Sequence, residues 1–157
     1  MQASGGPTPP TPSERHAVDF IRALLSGEAP LAEVTQVMAP RVAIHMPPIH
    51  THITPRSWRR WVRYLREQGT VSDLQVTMDE ISRGSDGTVT AVGRWRGLRD
   101  GTPGESTPCT TRYRIVDGRV VEMWVALSDY RFPLGDTSAR GLAATLLRAS
   151  RWRLGNR

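Results

Sequence analysis

There is no lysine in this chain. Its 157 residues carry 21 positions counted as Lys+Arg, and every one of them reads as arginine. A bias that complete follows most simply from codon usage in a GC-rich genome and carries no chemistry of its own. The net charge of +6 therefore says less than it suggests. Residues 136–157 hold Arg140, Arg148, Arg151, Arg153 and Arg157 against Asp136 alone, and the remainder is close to balanced. With no RNP-like aromatic pattern and no helix-turn-helix signature either, no nucleic-acid partner is expected. Cys109 is the single cysteine, which excludes an intrachain disulfide and fits a reducing compartment. Standing outside any motif, it reads as a small packing residue beside Pro108. No apolar run approaches the roughly 20 residues of a membrane span, and the N-terminus shows no secretory pattern. A cytoplasmic location is expected.

What is present organises as one domain. Residues 1–13 are rich in Pro, Gly, Ser and Thr and read as a disordered tail. Ser13 is placed to cap a helix with Glu14 in its first turn. Ala17, Phe20, Ile21, Leu24 and Leu25 then recur at helical spacing up to Gly27. "PLAEVTQVMAP" predicts a second short helix ended by Pro40, and "RVAIHMP" a short strand. "PIHTHITP" predicts a loop, and "RSWRRWVRYLREQG" a third helix with Trp58 and Trp61 on its apolar stripe. After Gly69 the period becomes two. "DLQVTMDEISRG", "GTVTAVGRWRGLR", "CTTRYRIVD" and "RVVEMWVALSD" predict four strands joined by turns at 84–87, 100–104 and Asp117-Gly118. Helices early and strands late argue an α+β fold. The arginines of residues 135–157, interleaved with Leu142, Leu146, Leu147 and Trp152, predict a basic helical extension serving as a lid or a docking arm.

The order of these pieces, with "FIRALLSGE", "APRVAIHMP", "SDLQVTMDEISRGSDGTV" and above all "YRIVDGRVVEMWVALSD", resembles the SnoaL-like polyketide cyclase branch of the nuclear transport factor 2-like superfamily over residues 14–134. The resemblance implies a cone-shaped α+β barrel, with a curved antiparallel sheet packed on three N-terminal helices around an apolar pocket. It also implies a homodimer paired through the sheet. Polyketide cyclases, ketosteroid isomerase-like enzymes, epoxide hydrolases, dehydratases and non-catalytic binders share that fold, so fold does not choose among them. Asp129 follows Trp124 by five residues where the family pattern places its acid four residues on, and strict alternation would send the two to opposite faces.

Within that frame the candidate proton-transfer residues are Asp129, Glu122, His45 and His52. A carboxyl held against the indole of Trp124 in a dry pocket would have its pKa raised, as a general acid or base requires. The alternative for Glu122 is an exposed strand residue paired with an arginine. Imidazoles at a pocket mouth suit proton transfer at neutral pH, or are simply exposed. The spacing of His45, His50 and His52 matches no familiar metal motif, so neither metal nor cofactor is expected. Trp58, Trp95, Tyr113, Trp124 and His50 are the candidate substrate contacts, and Gly93 would leave room for a ligand to approach. Arg94, Arg96, Arg112 and Arg114 alternate away from that wall and read as a solvated or dimer-rim face. The leading expectation is a cofactor-independent cyclase or isomerase of natural-product (antibiotic-type) metabolism acting on an apolar small molecule. Epoxide opening or dehydration is a rival, though the Asp-Arg-Asp group of the epoxide-hydrolase branch finds no match here. A non-catalytic scaffold with a docking tail is the rival from another class.

Overall fold

The computed structural model of the chain describes residues 6–46, 49–68, 72–99, 102–103 and 106–128. Helix α1 spans Pro12–Leu25 and a 3-10 helix spans Leu31–Gln36. They are followed by β1 (Met38–Met46), β2 (Ile49–Ile53), α2 (Pro55–Gln68), β3 (Ser72–Arg83), β4 (Val89–Arg99), β5 (Thr102–Pro103), β6 (Thr107–Val116) and β7 (Arg119–Leu127). The strands form one sheet in the order β2-β1-β7-β6-β4-β3, with β5 added on β4.

The strands predicted after Gly69 are all present, but the sheet is mixed rather than antiparallel, because β1 runs parallel to β7. The meander from β3 to β7 and the β1–β2 hairpin are each antiparallel; the chain brings them together by laying an early strand along the last one. Three other expectations change. Helix α1 is capped by Thr11, not Ser13. The Thr11 hydroxyl accepts from the Glu14 backbone N–H at 3.3 Å, and the Glu14 carboxylate accepts from the Thr11 N–H at 2.8 Å. Pro12 fits the first helical position, where its missing N–H costs nothing, and that phase puts Glu14 at the capping-box position. The predicted second helix is a six-residue 3-10 turn, since Met38 already belongs to a strand. The His-rich segment predicted as a loop is strand β2, in which Ile49, Thr51 and Ile53 supply β-branched alternation and the edge position demands a partner on one side only.

The expected tail also acquires contacts before the helix begins. Thr8 exchanges backbone hydrogen bonds with Arg83 on β3 at 3.0 and 2.7 Å. Arg83 Nε donates to Glu14 Oε1 at 3.1 Å, so one arginine ties the N-terminal segment, the helix cap and the sheet edge together. The expected C-terminal extension, residues 135–157, lies outside the described residues.

Register shifts interrupt the ladders, and two of them bear on the site. On β3, Asp79 is the extra residue between the Met78–Gly93 and Glu80–Val92 pairs. There β3 crowds β4 so closely that a Cβ on Gly93 would overlap the Thr77 carbonyl and lie 2.9 Å from Met78 Cα. The room that Gly93 was expected to leave for a ligand is thus filled by β3's own backbone. On β7, Val121 is the extra residue between the Ile115–Val120 and Arg114–Glu122 pairs. One face of the sheet packs on α1, whose Ala17, Val18, Ile21 and Leu24 are fully buried, and on Trp58 of α2.

Candidate functional site

The inner, helix-facing surface of the sheet is read row by row from the ladder registers. Nearest the Asp117-Gly118 turn, Val120 is 0% exposed; in the next row Val89 is 0% and Tyr113 1%. One row on, Ala91, Thr111 and Val125 reach 3%, 5% and 6%, and beyond them Cys109 and Leu127 stand at 5% and 6%. Trp95 at the far end reaches 8%, as does Met46 at the end of β1. Met123 in the Tyr113 row stands at 5% and Thr107 opposite Trp95 at 4%, so the inner face is buried along its whole length. Trp58 closes this wall from α2.

Most of that wall is aliphatic or aromatic. Its hydroxyl and thiol groups stand on β6, whose inward residues are Thr107, Cys109, Thr111 and Tyr113, all buried. Cys109 Sγ lies 3.5 Å from Thr111 Oγ1. Burial raises the pKa of both Cys109 and Tyr113, so both keep their protons at neutral pH.

The outer face carries a second constellation. His45, Trp124 and Arg112 form one cross-strand row, and Ala43, Glu122 and Arg114 the next. His45 Nε2 lies 2.9 Å from Glu122 Oε1, and Arg114 donates to Glu122 Oε2 at 2.9 Å from Nε. The imidazole stacks on the Trp124 indole with centroids 5.4 Å apart and planes 16° from parallel, and the Arg112 guanidinium lies 5.3 Å from the same ring. Arg112 also reaches Asp86 at 3.3 Å. The hydrogen bond from His45, and then that from Arg114, holds the Glu122 carboxyl below the usual carboxylate range. That reverses the expectation of a pKa raised in a dry pocket: Glu122 meets an arginine and a histidine on a half-exposed surface, and both favour its ionised form.

The candidate residues therefore divide. Trp58, Trp95 and Tyr113 line the inner wall, whereas Glu122, Trp124 and His45 meet on the outer face with Arg112 and Arg114. His52 is exposed on the edge strand, across from Ala43, and the backbone of His50 pairs with that of His45. Asp129 lies outside the described residues. Arg94, Arg96, Arg112 and Arg114 are exposed, as alternation implied. Among the described residues no three potential metal ligands converge, and no helix is long and apolar enough to cross a membrane. The polar stripe on β6 was legible in the alternation of "TPCTTRY" but is easily passed over, because threonine and cysteine are ordinary strand residues.

The family model described as SnoaL-like domain matches residues 17–123. Among solved structures, a proposed polyketide cyclase from Acidithiobacillus ferrooxidans superposes with a TM-score of 0.63 at 14% identity, covering 90% of this chain and 99% of the other. IdmH, a proposed polyketide cyclase from Streptomyces antibioticus, gives 0.59 at 18% identity over 85% and 97% of the two chains. A protein of ketosteroid isomerase-like fold from Catenulispora acidiphila, crystallised with trimethylamine, gives 0.58 at 20% identity over 70% and 83%. At such identities the likeness establishes the fold alone. No curated protein matches this chain in sequence.

Proposed function

The chain belongs to the SnoaL-like domain family, and from that premise we propose that it is a cofactor-independent cyclase or isomerase acting on an apolar, oxygen-bearing small molecule. The supporting observation is the inner wall of the sheet, which is buried and mostly apolar and carries Trp58, Trp95 and Tyr113. A ligand entering there would lie against Trp58, Trp95 and the Tyr113 side of β6.

The proposal gives the proton step to Asp129. Met123, Val125 and Leu127 face inward on β7, and in the sequence Asp129 shares their odd-numbered spacing. Its carboxylate would take a proton α to a substrate carbonyl. The enolate carbon would bond to a second carbonyl carbon of the same molecule, and the proton would return to the new alkoxide. Nothing is oxidised or reduced, and holding the substrate folded supplies much of the rate. Glu122 and His45 lie across the sheet from such a ligand; in this reading they join β1 to β7 and do not reach the reacting atoms. A homodimer formed through the outer face, where Trp124 and Ala126 stand among the arginines, belongs to the same proposal, and light scattering reads it.

The test is turnover of a linear poly-β-ketone thioester analogue, followed by mass spectrometry. Asp129→Asn should lower kcat by about 100-fold or more, whereas His45→Ala and Glu122→Gln should each change it less than about threefold. A folded wild-type protein that neither binds nor converts such compounds would defeat the proposal. An Asp129→Asn enzyme of full activity would defeat the assignment of the base.

A further inference from the structure

Arg15, Arg22, Arg83, Arg112 and Arg114 each meet a carboxylate, and Arg94 meets Ser106. Helix α2 is built differently. Residues 55–68 hold five arginines against one acid, Glu67, and no acid stands in the first turn. Among the described residues, no acceptor pairs with Arg56, Arg59, Arg60 or Arg63. Local sequence sets the direction in which they stand. Thr54 Oγ1 accepts from the Ser57 N–H at 3.1 Å and starts the helix, and Trp58 turns into the core at 3% exposure. At about 100° per residue, the four arginine positions fall within an arc of about 100° on the side opposite Trp58. Arg56 and Arg63 are exposed, and Arg59 and Arg60 half-buried. Like charges three and four residues apart on a helix repel one another, and an anion from outside the chain relieves that repulsion.

We propose that this face of α2 is a docking site for an acidic helix of a partner protein, one that carries carboxylates at i, i+4 and i+7. The inference is independent of the inner wall and of any chemistry there. The match is one of charge and spacing. Arg56 to Arg63 spans about 10 Å along the axis, two helical turns. Carboxylates at the same spacing on a helix laid alongside meet the arginines one for one. Each guanidinium presents a planar fork of N–H donors that a carboxylate accepts as a pair. A lipid surface fits less well. Peripheral helices hold to membranes by inserting an apolar face, and Trp58 of α2 is committed to the core. The large hydrophobic residues exposed among the described ones, Val92 and Val116, lie on β4 and β6. A nucleic acid likewise finds no stacking platform in the buried Trp58. Both are also wider than one helix, and Glu33 stands exposed on the 3-10 helix that packs against α2, repelling a broad polyanion.

Two fluorescein-labelled, alanine-rich helical peptides read the site: one with glutamates at i, i+4 and i+7, the other with glutamines there. Fluorescence anisotropy with the full chain at about 20 mM salt should show the glutamate peptide binding at least about tenfold more tightly, and about 300 mM salt should shrink the difference. Arg56→Glu/Arg63→Glu, at two exposed positions, should remove about tenfold or more of that affinity with the thermal midpoint little changed. Arg96→Glu/Arg119→Glu makes the same change in net charge outside α2 and should cost less than about threefold. Arg56→Gln/Arg63→Gln should give an intermediate loss, and it carries the test if the reversed variant folds poorly. A glutamate peptide that binds no more tightly than the glutamine one, or equal losses from the two reversed pairs, overturns the site. Vesicles of phosphatidylcholine with about one-quarter phosphatidylserine, and a DNA duplex of about 20 base pairs, are measured alongside. If either binds more tightly than the glutamate peptide and loses that binding in Arg56→Glu/Arg63→Glu, the choice of partner is overturned.

Discussion

Glu122 sits directly across the β6–β7 ladder from Arg114, one residue further along than a plain Asp117-Gly118 hairpin would bring it. With Val116 facing Arg119 and Ile115 facing Val120, uninterrupted pairing would set Val121 opposite Arg114. The bulge at Val121 shifts the phase. Val120 joins Met123, Val125 and Leu127 in the core, and Glu122 and Trp124 turn outward to the arginines. The acid and the indole of this strand are thus surface partners of His45, Arg112 and Arg114.

That phase can be tested by deletion. Removing Val121 makes Ile115–Val120 and Arg114–Glu122 successive pairs of a plain ladder, which keeps Val120 and Met123 inward and Glu122 and Trp124 outward beside their partners. The expected outcome is a cooperatively folded protein that keeps the Glu122–Arg114 pair, and Val121→Thr, which keeps the residue count, should cost under about 1 kcal/mol. Circular dichroism and thermal melts compare the two.

The Glu122 carboxyl titrates below its ordinary range in the folded protein, so its contribution to stability is present above the unfolded pKa and lost as pH falls through the folded one. Glu122→Gln should be less stable than wild type by a constant amount from neutral pH down to about pH 5. The gap should then narrow as the pH is lowered further. Urea denaturation across pH 7 to about 3 measures it; a gap that widens on acidification contradicts the geometry.

The cap on α1 separates two neighbouring hydroxyls. Thr11→Ala should cost about 1 kcal/mol, because it leaves the Glu14 N–H without its acceptor. Ser13→Ala should stay within about 0.5 kcal/mol. Equal effects of the two in denaturant melts would return the cap to Ser13.

Gly93 has no room for a methyl group, since the Thr77 carbonyl occupies the place of its Cβ. Gly93→Ala should lose on the order of 3 kcal/mol or fail to fold, while Gly6→Ala, with nothing within 4 Å, should be neutral. Thermal unfolding of the pair decides it.

Cys109 offers a chemical reading of the inner wall, because a single cysteine makes labelling unambiguous. Its thiol is buried, and its pKa is raised by that burial. Modification at pH 8 should therefore be at least about tenfold slower than for an exposed thiol, and a small uncharged methanethiosulfonate should outpace a charged one. Mass spectrometry of the intact chain follows the rates, and labelling as fast as for free cysteine would place the thiol elsewhere.

Much of the architecture was legible in short windows of sequence. The apolar spacing of Ala17, Ile21, Leu24 and Leu25 gave a helix. The alternation in "CTTRYRIV" gave a strand with Tyr113 inward and Arg112 and Arg114 outward, and Asp117-Gly118 gave the hairpin, with both turn residues at positive φ. The pairing of Glu122 with an arginine was open to the same reading as an alternative. Less legible was the strand content of "IHTHI", whose histidines and flanking prolines mask three β-branched residues. The doublet Val120-Val121 was the available sign of a bulge, since the core spacing from Val120 to Met123 fits no single alternation.

Periodicity, capping and turn chemistry depend on residues a few positions apart, so the chain alone dictates them, and with them the α+β succession and the apolar inner stripe. The phase of β7, the parallel contact of β1 with β7 and the side of the sheet that receives His45 depend on residues dozens of positions away. The bulge forms where Val120 and Met123, three positions apart, both face the core, and the parallel pairing forms where a remote strand completes the sheet. Those choices are settled only when the whole inner surface is packed at once, because burial free energy belongs to the assembled face and not to any one strand.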